Sequence, residues 1–353
     1  MPCKILTAAG CAILFSTSAV AAAPPADTMP AALAREVIDK TVELVESRGL
    51  YPRAQAEYAQ AKAELLALLA SPNADIDRQD VFRRVRKLLL TLDVDRHSFL
   101  ITTGPQPQQQ QQGRARPPGP VPPPTFQLIA TGQGTVLRWA PPAITVSGTA
   151  GYADYLKRFY DEAARLDPAG ACALLVDLSE QTGGNAWPPF IVMHPLFGAA
   201  NNANWVNRDG KRIPLVDRSR LEAMNGQYAD GRANPLTAFA GGPLAVLVGE
   251  RTSSAGEMLL VALLGEERVR TFGRTSQGMS TANVTHRLPD GSSLVLTEMR
   301  YALGAGPVYR GGIAPMQAPG AGESWEASIK NAAQWAAANS KQCKPAQVAA
   351  GPG

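Results

Sequence analysis

Histidine is scarce in this chain: three residues, His97, His194 and His286, among 353. No His/Cys/Asp/Glu cluster has metal-ligand spacing, so no metal site is read from the sequence. Neither a glycine-rich phosphate loop nor any other cofactor motif is present, and no cofactor is expected. Charge of one sign is also lacking. Lys and Arg total 34 against 30 Asp and Glu, a formal net charge of +4, with no concentrated basic run. That balance is too mild to argue for nucleic acid as a partner. Beyond the N-terminus no apolar run reaches the roughly 18 residues that a membrane span needs. Internal repeats are absent too.

The N-terminus reads as a secretory signal, residues 1–23. Lys4 gives a short positive region, Ile5 to Ala23 is apolar and small, and Ala19-Val-Ala21 offers a cleavage site just before Pro24-Pro25. A retained anchor fits less well, because the stretch is rich in Ala, Ser and Thr. Ala9-Gly10-Cys11 faintly resembles a lipoprotein box but lies too early. The expected location is therefore the periplasm or the exterior. Cys3 and Cys11 leave with the signal; Cys172 and Cys343 remain. In an exported protein these two can pair, or Cys172 is simply a small buried hydrophobe; the sequence leaves both open.

Residues 24–103 read as a helical N-terminal region. Leu33, Val37, Ile38, Val42, Leu44 and Val45 recur at three- and four-residue steps. Tyr58, Ala61, Leu65, Leu66 and Leu69 make a second stripe, and Val81, Val85, Leu88, Leu89 and Leu92 a third. Residues 104–125, a Gln run followed by Pro runs, form a linker unable to build a core. Residues 126–342 alternate strand-like and helix-like segments, as an α/β core does. Strands are expected at Gln127–Ala130, Thr135–Trp139, Ala143–Val146, Ala171–Leu178 and Val269–Phe272. Helices are expected at Tyr152–Leu166 and from Ser324 through Asn339. A hairpin is expected around Pro289-Asp-Gly291. Residues 200–235 look irregular, and 343–353 form a tail.

One stretch organises the rest. Pro243 to Gly249 is apolar, Thr252-Ser-Ser-Ala-Gly-Glu257 is a polar turn, and Met258 to Leu264 is apolar and helix-prone. The pattern is strand, tight turn, helix. A serine there sits beside free backbone N–H groups and the positive end of a helix dipole, which favours a developing oxyanion. The plainer alternative is that Ser253 or Ser254 only caps the helix.

Two further segments stand out: Asp95-Arg-His-Ser-Phe99, and Val176-Asp-Leu-Ser-Glu-Gln-Thr-Gly-Gly-Asn185. With the turn they come in the order of the motifs of the tail-specific (C-terminal processing) serine peptidases and their tricorn-type relatives. Thr271 to Asn283, Leu288-Pro-Asp-Gly291 and Gly311-Gly-Ile-Ala-Pro315 resemble later segments of that family. The resemblance covers roughly Leu92 to Met316, broken by the linker.

It implies a crotonase-like (ClpP/crotonase) α/β core and a serine-type peptidase acting on peptide or protein substrates. Carried over by position, Ser254 is the nucleophile, Ala255 N–H one oxyanion donor, and the Gly183-Gly184 turn the other. The family's lysine-using branch carries its base where this chain has Met279. A thioether cannot take a proton, so the resemblance points to the tricorn-like branch, with His97 as general base. His194 and His286 lack a motif and read as structural. An imidazole base would make activity fall as pH drops through about 6 to 7, whereas a lysine base would set that limb higher.

Two departures matter. The tricorn-like glutamate before the last motif is missing, and Glu298, Asp95 and Asp177 are left as candidate orienting acids, Glu298 foremost. The lysine branch's PDZ domain is also missing, since only residues 104–125 lie in its place. A non-catalytic peptide- or ligand-binding protein on the same fold is the rival reading, discriminated by whether His97 reaches Ser254.

Overall fold

The computed structural model describes residues 27–50, 55–70, 75–92, 97–102, 122–144, 150–166 and 170–344. The signal pattern, Asp95, and most of the segments read as linker and tail lie outside them.

The N-terminal region begins with strand β1 (Thr28–Pro30) and helix α1 (Ala31–Ser47), then α2 (Gln55–Ala67), β2 (Asp75–Asp77), α3 (Arg78–Leu89) and β3 (Phe99–Ile101). The stripes read from the sequence are the buried faces, except that Leu66 is exposed: Val37, Ile38, Leu44 and Val45 of α1 meet Leu65 of α2 and Val81, Val85 and Leu88 of α3. Asp77 caps α3, its carboxylate accepting from Gln79 N and Asp80 N at 2.7 and 3.1 Å.

The remainder runs β4 (Thr125–Thr131), β5 (Gly134–Ala140), α4 (Ala150–Leu166), β6 (Ala171–Asp177), α5 (Trp187–Val192), β7 (Ala203–Asn207), β8 (Arg212–Pro214), α6 (Arg218–Tyr228), β9 (Leu244–Val248), α7 (Ala255–Leu264), β10 (Val269–Gly273), β11 (Thr281–Arg287), β12 (Ser293–Leu303) and α8 (Trp325–Asn339). It is a mixed α/β fold. One sheet has the order β10-β9-β6-β5-β4, parallel except for the β4–β5 hairpin. Its central strands are buried on both faces, as the unbroken apolar runs of β6 and β9 require. Leu174, Val176, Leu244, Val246 and Val248 face the layer of α4, α5 and α7. Ala173, Leu175, Ala245 and Leu247 face α8, whose Ala332, Ala333 and Ala336 allow a close approach. Cys172 and Cys343 form a disulfide that ties β6 to the segment after α8.

A second sheet has the order β11-β12-β7-β8, with β3 also paired to β12. Leu294 and Leu296 of this sheet, with Leu288 of the turn between β11 and β12, belong to the apolar cluster of α1–α3. The N-terminal helices are therefore packed onto β12, and β3 is drawn in beside the nucleophile turn.

Three expectations need correction. Ala143–Val146 is not a strand in its described part, where Ile144 makes a single bridge to Gly184. Residues 200–235 are not irregular; they hold β7, β8 and α6. The sequence hid α6 because it buries only Leu221 and Asn225 and shows no apolar stripe. Strand β4 begins at Thr125, inside the segment read as linker. No helix among the described residues is long and apolar enough to cross a membrane.

Candidate active site

The turn between β9 and α7 is held from several sides. Thr252 Oγ1 accepts from Gly249 N at 2.9 Å and donates to Leu178 O at 2.8 Å. Ser253 N donates to Gln181 O at 3.0 Å. Glu257, fully buried, accepts from Ser254 N (3.2 Å), Ser276 Oγ (2.5 Å) and Gly278 N (2.8 Å). Its carboxylate braces the turn rather than facing the cleft. The clamps hold Ser254 at φ 50°, ψ −107°, a strained conformation costing about 1–3 kcal/mol outside glycine. The strain has a geometric result: Ser253 is buried, whereas Ser254 lies partly exposed and lines a cleft of about 680 Å³.

His97 comes to Ser254 from 157 residues away in sequence, with Nε2 2.9 Å from Oγ. β3 carries it there: Phe99 and Leu100 pair with Val295 and Leu294 of β12. Ser98 Oγ donates to Thr297 Oγ1 and accepts from Thr297 N, at 3.0 and 3.1 Å. Asn283 Nδ2 donates to the His97 carbonyl at 3.1 Å. The backbone around the imidazole is thus fixed on both sides.

The other ring nitrogen, Nδ1, lies 2.7 Å from Thr281 Oγ1. Thr281 is buried, and its carbonyl accepts from Tyr301 OH at 3.1 Å. With the threonine oxygen as acceptor, Nδ1 holds the ring proton and Nε2 presents its lone pair to Ser254. Sequence reasoning missed this residue because it looked for an acid. The available signal was the position of Thr281 within the Thr271–Asn283 segment, two residues after Met279.

Glu298 is corrected as the orienting acid. Opposite β11, Met299 pairs with Ala282 and Thr297 with Asn283, which leaves Glu298 as the extra residue of a β-bulge. Its carboxylate bonds His286 Nε2 at 2.5 Å and reaches Arg48 at 3.5 Å, on the side of the N-terminal helices. Asp177 is corrected likewise: it pairs with Arg138 and accepts from Ser179 N at 2.9 Å. His286 is engaged by Glu298. His194 is buried elsewhere, and burial lowers its pKa below the ordinary histidine value.

The two glycines divide their roles. Gly183 N donates to Gln181 Oε1 at 3.0 Å, and Gly183 is buried. Gly184 is exposed and lines the cleft. Its φ of 96° and the carbonyl of Ile144, 2.1 Å from where a Cβ would stand, admit only glycine. Ala255, first residue of α7, lines the same cleft.

The site combines a strained serine at a strand–helix turn, an imidazole on its oxygen and a glycine turn alongside. Residues 143–316 match the pattern of Peptidase family S41. That segment is a peptidase family S41 region. This is a serine peptidase family, and its match contains Ser254, Gly184 and Thr281. His97 lies before it and depends on the β3–β12 pairing to reach the S41 region.

Over 132 residues the chain is 30% identical to the nisin-resistance protein of Lactococcus lactis subsp. lactis; the match covers 35% of this chain and 38% of that protein's length. Among solved structures, a lipoprotein from Streptococcus agalactiae is similar at TM-score 0.62 and 19% identity, covering 90% of this chain and 99% of that one. The photosystem II D1 C-terminal processing protease is similar at TM-score 0.50 and 15% identity, covering 81% and 92%. At these identities the two structures speak for the fold.

Proposed function

We propose that this chain, with its S41 region, is an exported serine peptidase of the histidine-using kind, working through an acyl-enzyme. The observation that carries the reading is the 2.9 Å approach of His97 Nε2 to Ser254 Oγ, within the reach a general base needs. Ser254 Oγ attacks the scissile carbonyl as His97 takes its proton. Ala255 N–H and Gly184 N–H stabilise the oxyanion, and His97 returns the proton to the leaving amine. Water then hydrolyses the ester by the same route. Thr281 holds the imidazole in the tautomer that leaves Nε2 free. The core is read as crotonase-like. Export is read from the Lys4–Ala23 pattern, and the Cys172–Cys343 disulfide supports an oxidising location. Peptides or proteins are the substrates, with neither nucleic acid nor a cofactor involved.

A fluorophosphonate probe should label Ser254 and spare Ser253. Ser254→Ala should abolish labelling with the fold intact, and His97→Ala should lower turnover by orders of magnitude. Undiminished hydrolysis in His97→Ala would overturn the mechanism. Absence of labelling and of turnover across varied peptides would favour a binding protein on this fold.

A further inference from the structure

The aromatic wall of the catalytic cleft has a cavity on each side. Trp187 and Trp205, with ring centroids 6.4 Å apart and nearly edge-to-face, line the cleft that holds Ser254 and His97. The same two rings line a second cavity of about 430 Å³. Its other walls are mostly apolar: Phe190 of α5, Ile213 and Leu215 at and just after β8, and Leu221 of α6. Trp187 begins α5 three residues after Gly184, so the wall is built directly on the glycine turn. The cleft is also lined by Phe99 and Ile101, which follow His97 at two-residue steps and project outward, 45% and 50% exposed, while Leu100 between them is buried. Strand alternation puts both apolar side chains on one face.

We propose that the cavity behind Trp187 and Trp205 is a substrate subsite. It would receive a bulky apolar side chain, aromatic or branched aliphatic, of an extended peptide whose backbone lies in the catalytic cleft lined by that wall, Phe99 and Ile101. The proposal rests on the peptidase reading. Three things support it. The cavity shares its Trp187 and Trp205 wall with the cleft, so a peptide lying in the cleft abuts it. Its volume falls within the range of small-ligand pockets and is ample for one aromatic side chain. Apart from the exposed Asp217 and Arg220 its lining is apolar, which gives an apolar group a favourable exit from water. Trp187, Trp205, Ile213 and Leu221 are then specificity-determining residues, distant from the proton transfer and separate from it.

Binding tests the subsite without requiring turnover. Acetylated, amidated octapeptides with a single Phe walked through a Ser/Ala/Gly background are titrated calorimetrically into the Ser254→Ala protein. At one position Phe should bind tighter than Ser or Asp by on the order of 10- to 100-fold. Ile213→Trp, which fills the cavity, should erase that preference, with a thermal melt as the check on folding. Trp205→Ala, which opens the wall, should broaden it and serves where Ile213→Trp fails to fold. No positional preference, no binding of any octapeptide, or a preference untouched by both variants would overturn the subsite. Failure of wild-type protein to take the fluorophosphonate speaks against the peptidase reading alone, because the binding assay does not depend on it.

Discussion

Thr281→Val isolates the threonine's part in the site. Valine keeps the shape of the buried side chain and removes only the oxygen 2.7 Å from His97 Nδ1. The Nδ1–H then lacks that acceptor, and the ring can flip to the tautomer that presents N–H, rather than a lone pair, to Ser254. Losing one partner of a buried hydrogen bond costs about 1–3 kcal/mol. At about 1.4 kcal/mol per decade, that is roughly a 5- to 150-fold loss of reactivity. The loss should stay well below the roughly 10⁴ incurred when the carboxylate of a Ser-His-Asp triad becomes an amide, since a neutral hydroxyl orients imidazolium without offsetting its charge. The assay is the second-order rate of fluorophosphonate labelling, with kcat/KM on a quenched peptide and a thermal melt as the check on folding. Thr281→Ser, which retains the hydroxyl, should stay within a few-fold of wild type. A Thr281→Val protein that melts normally and labels within two-fold of wild type, taking the ~5-fold lower bound as the margin, would refute the orienting role.

Gly184→Ala should slow labelling of Ser254 by about 10²-fold, the loss expected for one oxyanion donor, because its Cβ would collide with the Ile144 carbonyl; an unchanged rate would move the donor elsewhere. Replacing Cys172 and Cys343 by Ser should lower stability by about 2–5 kcal/mol, read from denaturant midpoints, since the bridge closes a separation of 171 residues in the unfolded chain; an unmoved midpoint would show that the disulfide contributes nothing. His194 makes stability pH-dependent. Burial lowers its folded pKa, so below about 6.5 the unfolded chain takes up a proton that the folded one resists. Its contribution is intact above that pH and is lost as pH falls toward the folded value. His194→Leu should flatten the acid side of a stability-versus-pH curve measured by urea melts, and an identical slope in the variant would exclude His194 as the cause.

What the sequence determined by itself is local or periodic. The apolar steps of α1 to α3 give their buried faces, because a helix repeats every 3.6 residues whatever lies opposite. The unbroken apolar runs of β6 and β9 announce strands buried on both sides. The Thr252–Glu257 turn was legible because a strand, a tight turn and a helix cap are written in contiguous residues, and His97 stood out because its neighbours form a motif with it. The tertiary structure decided whatever depends on atoms brought together from distant strands. The pairing of β3 with β12 brings His97 within 2.9 Å of Ser254. β11 supplies a threonine to Nδ1 where an acid was sought, and a one-residue bulge commits Glu298 to His286 and Arg48. The Cys172–Cys343 bond, left open by the sequence, closes because β6 and the end of α8 pack side by side. Of two adjacent glycines, only the one not bonded to Gln181 faces the cleft. In each case residue type set what a side chain is able to bond, and packing between strands set which partner it met.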